Sequence, residues 1–235
     1  MRSYGFIIIT GFFLLASCSS SKRIAKTDGD SIRSLKFLGE YIVPNGLTLD
    51  SAVIGGLSGI DYDARRDRYY MVCDDPSTMG PARYFEARIQ ISEKGIDTII
   101  FTRMVPILNP SGAPYADIRR DRGNSADLES MRYDPTRDEL VRGSEGQRVL
   151  NATTRLLQHP DVVIMDREGN FKDSFALPAN MRFQEGEAGP RHNSVFEGVA
   201  YNRDYSKVYV SVEDALYDDG NRAGTGDSTS WVRIL

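Results

Sequence analysis

The amino-acid sequence predicts an all-β fold, a β-propeller built from four-stranded blades of which this chain contains about three. A motif that occurs three times is the first observation behind this prediction. The hairpin-like form of each copy and the strand pairs between copies are the others. The equivalent positions Ser58, Glu129 and Glu197 are 71 and 68 residues apart. A regular period with one supersecondary unit per copy is typical of repeat architectures.

Each copy of the motif has the pattern of an antiparallel hairpin. Two runs rich in Tyr, Val, Ile and Met flank a polar turn. The copies are 57–63 with 68–74, 128–134 with 139–145, and 196–202 with 207–213. Residues equidistant from the turn face each other in such a hairpin. We therefore expect Glu129 to lie near Glu145, and Glu197 near Glu213.

Further strands are predicted between and beside the hairpins. They are 83–91 and 98–105 after the first copy, 161–165 and 171–177 after the second, and 231–235 after the third. Each unit then holds about four strands, as a propeller blade does. Residues 35–44 predict an early strand of the kind that often completes the last blade of a closed propeller. Because closure needs at least about four blades, we expect the chain to lack its C-terminal part.

The N-terminus has the layout of a bacterial lipoprotein leader. Arg2 precedes an apolar run, and Leu15-Ala16-Ser17-Cys18 resembles a lipobox, which implies cleavage before Cys18 and lipidation of its thiol. An ordinary signal peptide is the alternative. We predict a leader at 1–18, a linker at 19–34 and the propeller domain at 35–235. A lipid anchor would hold the domain at a membrane surface of the bacterial cell envelope, on its periplasmic or outer face.

Composition and charge restrict the possible functions. The 235 residues are 40% hydrophobic and 26% charged, with a net charge of −4. This balance is ordinary for a globular protein and argues against a nucleic-acid partner, which needs a basic face. With Cys18 lipidated, Cys73 has no disulfide partner, and its position within a strand predicts a buried packing residue.

Carboxylates at the ends of the predicted hairpins are candidate cation ligands. Innermost strands of a propeller begin near the central channel, so equivalent positions of successive blades converge there. Hard oxygen ligands favour Ca²⁺ over Zn²⁺. Strand-end carboxylates that accept backbone N–H bonds or pair with Arg are the alternative. The acidic set is Asp74, Asp75, Asp127, Glu129, Glu145, Glu197 and Glu213.

Basic residues in the loops before Glu129 and Glu197 are candidate anion ligands, because guanidinium groups bind phosphate and carboxylate well. They are Arg119, Arg120, Arg122 and Arg191. Each could instead pair with a neighbouring carboxylate such as Asp121. A nucleophilic triad of Ser58, His192 and an Asp is a further possibility, although the Gly55–Gly59 segment departs from the nucleophile-elbow pattern.

Several segments resemble one protein family in order along the chain. The segments 55–63, 69–77, 81–84, 127–130, 144–146 and 191–198 are similar to the "esterase-like activity of phytase" family. The resemblance covers about Leu35 to the end. It implies an outline similar to β-propeller phytases, and phosphoesterase or esterase chemistry on a small-molecule substrate.

The residues and the resemblance together give a first hypothesis, a membrane-anchored, metal-dependent phosphoester hydrolase with Ca²⁺ as the expected cofactor. Catalytic roles fall to Glu129, Glu197 and Arg191. Substrate binding is assigned to Arg119, Arg122, His192 and Asn193, and metal binding to Asp74, Asp127, Glu145 and Glu213. The alternative is a non-catalytic propeller that binds a ligand or partner at the cell surface.

Overall fold

The computed structural model describes residues 34–226 and 230–235, and within them it is an all-β protein. Three short 3₁₀ turns, Arg122–Asn124, Ala179–Met181 and Tyr217–Asp219, lie in loops. The strands are β1 (Thr48–Leu49), β2 (Ala52–Val53), β3 (Leu57–Asp63), β4 (Arg68–Cys73), β5 (Arg83–Ser92), β6 (Gly95–Pro106), β7 (Leu128–Asp134), β8 (Glu139–Ser144), β9 (Gln147–Leu150), β10 (Arg155–Gln158), β11 (Asp161–Met165), β12 (Phe171–Ser174), β13 (Phe196–Tyr201) and β14 (Val208–Val212).

The three repeats form three antiparallel sheets. The first two are four-stranded, with the orders β3-β4-β5-β6 and β7-β8-β11-β12. In the third, β13 pairs with β14, and the chain end adds to β14 through reciprocal backbone hydrogen bonds between Val210 and Leu235. The prediction of an all-β fold with propeller-like blades is confirmed. The small hairpin of β9 and β10 was not predicted.

The hydrophobic core lies between successive sheets. Successive side chains of a strand point to opposite faces, so β8 contributes to both interfaces. Leu140 packs with Tyr70, Tyr84 and Met131 between the first and second sheets. Val141 packs with residues of the third sheet, among them Phe196 and Val199. The fully buried faces explain why these strands lack a simple alternation of polar and apolar residues.

Polar turns join each hairpin to the next unit. Asp63 accepts hydrogen bonds from the backbone N–H groups of Arg65 and Arg66 and from the Arg66 guanidinium. Arg66 also donates to the Tyr133 hydroxyl of the second unit at 2.9 Å. The equivalent pair, Asp134 and Arg137, repeats this local arrangement. These hydrogen bonds therefore stabilise the end of each of these two hairpins at which the chain reverses direction.

The structure tests one of the expectations about the N-terminal part of the chain, the strand at 35–44. The strand predicted at 35–44 is wrong, because residues 34–44 form no strand. Instead the backbone at Gly39 lies against the turn between β5 and β6, where a Cβ added to Gly39 would be 3.3 Å from Gly95 Cα. The leader, Cys18 and the linker up to residue 33 lie outside the described residues. In the part of the chain that the structure describes, no helix has the length and apolar character needed to span a bilayer.

Candidate functional site

The equivalent positions near the start of the three hairpins are β-bulges. Each ladder skips one residue near the start of its first strand. In the first hairpin Leu57 pairs with Cys73, and the next pair is Gly59 with Val72. The second and third hairpins skip a residue in the same way, between Leu128 and Ser130 and between Phe196 and Gly198. Ser58, Glu129 and Glu197 are thus each the extra residue. A bulge of this kind turns a side chain out of the regular pleat. The extra residue shifts the pairing, so Glu129 and Glu145 are not directly opposite each other in the ladder.

The carboxylates that end the hairpins are held by one repeated backbone hydrogen bond. The N–H of Asp74 donates to the Gly56 carbonyl at 2.6 Å, and that of Glu145 donates to the Asp127 carbonyl at 3.0 Å. In the third unit the N–H of Glu213 donates to the Val195 carbonyl at 2.8 Å. Each of these residues follows the last residue of its strand. The same local geometry therefore places a carboxylate at the same corner of each unit.

Carboxylates from three units converge at this corner. Oxygen atoms of Asp74, Asp127 and Glu129 lie within 4.8 Å of one another, and so do oxygen atoms of Glu129, Glu145 and Glu197. Glu129 belongs to both groups. The expected proximity of Glu129 and Glu145 is confirmed despite the shifted register. Glu213 belongs to neither group.

The cluster extends from the interior to the surface. Glu145 is buried, Asp127 and Glu129 are half-buried, and Asp74 and Glu197 are exposed. The buried end is therefore shielded from water, whereas the outer carboxylates are accessible to solvent and to small ligands. We refer to these five residues as the acidic cluster.

Burial and mutual repulsion raise the pKa values of the acidic cluster. Burial raises the pKa of Glu129 to about 9, and the charges of Asp74, Glu197, Glu145 and Asp127 contribute in the same direction. Glu129 also forms a hydrogen bond with the Asp74 carboxyl. A carboxyl with such a pKa holds a proton at neutral pH unless a cation replaces it.

The remaining members show the same direction of shift. Burial raises the pKa of Asp127 to about 6 and that of Glu145 to about 7, and neighbouring carboxylates add to both shifts. The pKa values of Asp74 and Glu197 are also raised, although both residues are exposed, first because neighbouring protein atoms partly remove their carboxyl groups from water and then by the charges of Asp75 and Glu213 respectively. The cluster therefore concentrates negative charge that a proton or a cation must balance.

Few protein groups offset this charge. Among the ion pairs of residues 34–226 and 230–235, none involves a member of the acidic cluster. The Val195 N–H donates to Glu145 at 2.6 Å, and the Gln147 amide donates to Asp127 at 3.0 Å. The cluster consists of oxygen ligands only, which fits a hard cation such as Ca²⁺ better than Zn²⁺.

Two of the predicted anion ligands are engaged elsewhere. The Arg191 guanidinium donates to the Ala215 and Gly220 carbonyls and lies 4.1 Å from the centre of the Tyr217 ring. Arg119 pairs with Asp117 and donates to the Thr78 carbonyl at 3.1 Å. Both residues stabilise loops.

Arg122 lies closer to the acidic cluster. Its guanidinium donates to the Gln147 side chain at 3.0 Å, and the same Gln147 donates to Asp127. Arg122 is exposed, so its other donors remain accessible. His192 has a half-buried ring, and its Nδ1 has no hydrogen-bond partner among the described residues. Asn193 is exposed and has a left-handed backbone, with φ of 55°.

The sequence reasoning missed Arg222 and Gln147. Arg222 donates to the Ser194 hydroxyl at 2.8 Å and to Asp214 at 3.1 Å. It lines a cavity of about 240 Å³ together with Ser194, Glu213, Asp214 and Ala223. The position of Gln147, two residues after Glu145, was the available signal for that residue. Arg222 lies in a long loop whose path has no local sequence signal.

The residues considered for nucleophilic chemistry are not connected. The Ser58 hydroxyl has a long contact with the Gly56 carbonyl at 3.5 Å, and the described structure has no hydrogen bond between Ser58 and His192. Cys73 is buried and donates to the Gly55 carbonyl, and burial raises the pKa of its thiol to about 11. Its predicted role as a packing residue is confirmed.

Comparison with known proteins identifies a family for most of the chain. None of the curated proteins matches this chain. The family model described as "Esterase-like activity of phytase" matches residues 52–235, which include all three hairpins and the acidic cluster. The family suggests a phosphoesterase-type hydrolase that acts on a small-molecule phosphoester. The chain therefore belongs to the phytase-like family, esterase-like activity of phytase.

Proposed function

We propose that this protein is a membrane-anchored, metal-dependent phosphoester hydrolase whose cation is held by the acidic cluster. The observation that carries the proposal is the convergence of five carboxylates from three repeats without an Arg or Lys partner in the described structure. Family membership supports the phosphoesterase class. The membrane anchor is proposed from the lipobox at Cys18.

The acidic cluster contains the groups that such a reaction needs. Asp74, Asp127 and Glu129 form one group that would hold a cation. Glu129, Glu145 and Glu197 form a second such group, which shares Glu129 with the first. A bound cation supplies Lewis-acid polarisation of a phosphoryl oxygen and lowers the pKa of a bound water. Without a cation Glu129 would hold a proton, and it would have to give up that proton to act as a ligand, because ligation requires the carboxylate form.

Groups beside the cluster are suited to bind the anion. Arg122 reaches the cluster through Gln147, and Arg222 lines the cavity that also contains Glu213. Guanidinium groups bind phosphate oxygens through paired N–H donors. We assign substrate binding to Arg122 and Arg222, whereas Arg191 positions the loop that carries Ala215 and Gly220.

A phosphoesterase assay with Ca²⁺ and with chelator tests the proposal. We expect hydrolysis of a small phosphomonoester that is lost in chelator and falls at least about 100-fold in the Glu129→Gln/Glu197→Gln variant, the scale expected for losing a charge-stabilising group. Glu168→Gln is the matched control, because Glu168 is exposed in the turn between β11 and β12. Hydrolysis that is indifferent to metal and to the double substitution contradicts the proposal.

One observation favours a second function, a cation-dependent binding module. Arg191 and Arg119 are both engaged by loop groups, so fewer anion ligands face the acidic cluster than the sequence analysis expected. Such a module binds Ca²⁺ at the same carboxylates but does not turn over any phosphoester. Binding of Ca²⁺ without hydrolysis across a panel of phosphomonoesters and carboxylic esters would identify it.

A further inference from the structure

Strands β5 and β6 of the first sheet extend beyond the end of β4 and pair there with each other. The ladder between β4 and β5 ends at the pair Tyr69 and Ala87. Beyond it, Arg88–Ser92 pairs only with Gly95–Ile100 of β6. Five residues of strand span roughly 16 Å. We call these two segments, with the turn between them, the ribbon.

One face of the ribbon consists of isoleucine. Ile89 pairs with Ile99 and Ile91 pairs with Ile96, and residues opposite each other in a ladder share a face. Ile91 is 57% exposed, and the other three are half-buried. On the opposite face Ile100 is also exposed, at 49%. A protruding hairpin with this much apolar surface indicates a contact surface.

The ribbon points away from the acidic cluster. Strand β4 runs from the hairpin turn at Arg68 to Cys73, and Asp74 of the cluster follows it directly. Because β5 is antiparallel to β4, its continuation beyond Ala87 passes the turn end of the hairpin. The ribbon and the acidic cluster therefore occupy opposite ends of the first sheet.

The segment that precedes the first sheet lies beside the tip of the ribbon. A Cβ added to Gly95 would lie 3.1 Å from the Leu38 carbonyl oxygen and 3.2 Å from Gly39 Cα, so the backbones nearly touch. The entering segment is itself apolar and exposed, with Leu38 at 47% and Ile42 at 78%. The exposed apolar surface thus continues from the ribbon onto the entering segment.

The preceding sequence favours a negatively charged lipid surface as the occupant. Cys18 lies 20 residues before Leu38, a separation that spans at most roughly 70 Å even when fully extended. Residues 19–36 contain five basic and two acidic side chains, a net charge of +3, whereas residues 37–235 have a net charge of −8. Positive charge beside an anchored lipid is attracted to anionic headgroups.

We propose that the ribbon and Leu38–Ile42 form a membrane-contacting surface that inserts into an anionic bilayer and directs the acidic cluster toward the aqueous side. The inference rests on the lipid anchor proposed at Cys18. An apolar surface with a basic segment adds to the binding that a lipid anchor provides. The contact also orients the protein, because a tether alone leaves the domain free to rotate.

Accessibility of a spin label to water-soluble nickel chelate and to oxygen tests the proposal. The full-length lipidated protein is bound to vesicles containing anionic phospholipid, with the label at Glu93→Cys in the tip of the ribbon. A second sample carries the label at Thr153→Cys, in the exposed loop between β9 and β10. We expect the label at position 93 to be protected from nickel and accessible to oxygen, and the label at position 153 to show the reverse.

Paired substitutions connect that result to the apolar side chains. Ile42→Asp/Ile91→Asp should expose the label at position 93 to nickel. The control Trp231→Asp/Val232→Asp, with matched exposures of 75% and 54%, should leave it protected. Unchanged circular dichroism and thermal midpoints verify that both variants fold.

Three outcomes overturn the proposal. The first is nickel access at position 93 equal to that at position 153 in vesicle-bound protein. The second is dipolar coupling between labels of two molecules, which indicates that another copy covers the ribbon. The third is an unmodified Cys18 by mass spectrometry. If Cys18 is modified but the ribbon is exposed to water, the lipid anchor is supported and only the membrane-contacting surface is refuted. None of these measurements depends on phosphoester hydrolysis.

Discussion

At the scale of single residues, Glu129 is the centre of the site. It is the bulge residue of the second hairpin and the only residue that belongs to both groups of converging carboxylates in the described structure. Its environment is unfavourable for a negative charge, since it is half-buried and faces four other carboxyl groups. A site that destabilises its own charged form in this way is expected where a cation or a reaction later compensates.

The first prediction concerns the pH dependence of stability without cation. The pKa of Glu129 is about 9 in the folded protein against an ordinary 4.5, so its contribution to stability is complete below 4.5 and is lost as the pH rises toward 9. In chelator, the thermal midpoint of the wild type should therefore fall across this window. Glu129→Gln should fall less steeply, because the amide stays neutral. Circular dichroism melts at several pH values measure both slopes.

The control for this prediction is Glu168→Gln, which should retain the wild-type slope because Glu168 is exposed and outside the cluster. Parallel slopes for the wild type and Glu129→Gln would show that the Glu129 proton does not contribute to stability.

At the scale of elements, the three hairpins place their carboxylates through two shared features. A bulge turns out the side chain at the start of the first strand, and a backbone hydrogen bond fixes the residue after the second strand. Ser58 occupies the bulge of the first hairpin, so that unit contributes only Asp74 to the cluster. The site is therefore asymmetric, with most ligands from the second unit.

The second prediction concerns contact between neighbouring hairpins. A Cβ on Gly59 would lie 2.9 Å from the Met131 nitrogen and 3.2 Å from Ser130 Cα, both of which are backbone atoms. Gly59→Ala should therefore destabilise the fold by about 1–3 kcal/mol through overpacking. Chemical denaturation measures the loss. Gly186→Ala is the control, because no atom lies within 4 Å of its added Cβ, and an equal effect in both variants would contradict the packing argument.

The hairpins were predictable from the sequence, whereas their register was not. Repeated runs rich in Tyr, Val, Ile and Met on either side of a polar turn identify β3, β4, β7, β8, β13 and β14. A bulge requires only one extra residue, and the glycine that follows the bulge at Gly59 and Gly198 is replaced by Ser130 in the second unit. Residue identity also indicated Arg191 as an anion ligand. Its guanidinium instead packs over the ring of Tyr217, which a long loop places beneath it.

At the scale of the whole molecule, the two ends of the hairpins have different roles. The turn end carries the Asp63 and Arg66 network and its equivalent in the second unit, and these contacts join successive repeats. The open end carries the acidic cluster, which draws on all three repeats. Assembly of the repeats and formation of the site are therefore coupled, because no single hairpin supplies either complete group of carboxylates.

The central claim is that the acidic cluster, which draws on all three repeats, binds a cation. The most direct measurement is calorimetric titration of Ca²⁺ into the wild type and into Glu129→Gln/Glu197→Gln at neutral pH. The account predicts saturable binding with proton release in the wild type, and at least a 100-fold weaker affinity in the double variant, about 2.7 kcal/mol. Equal affinity in the two proteins, or the absence of Ca²⁺ binding to the wild type, would contradict it.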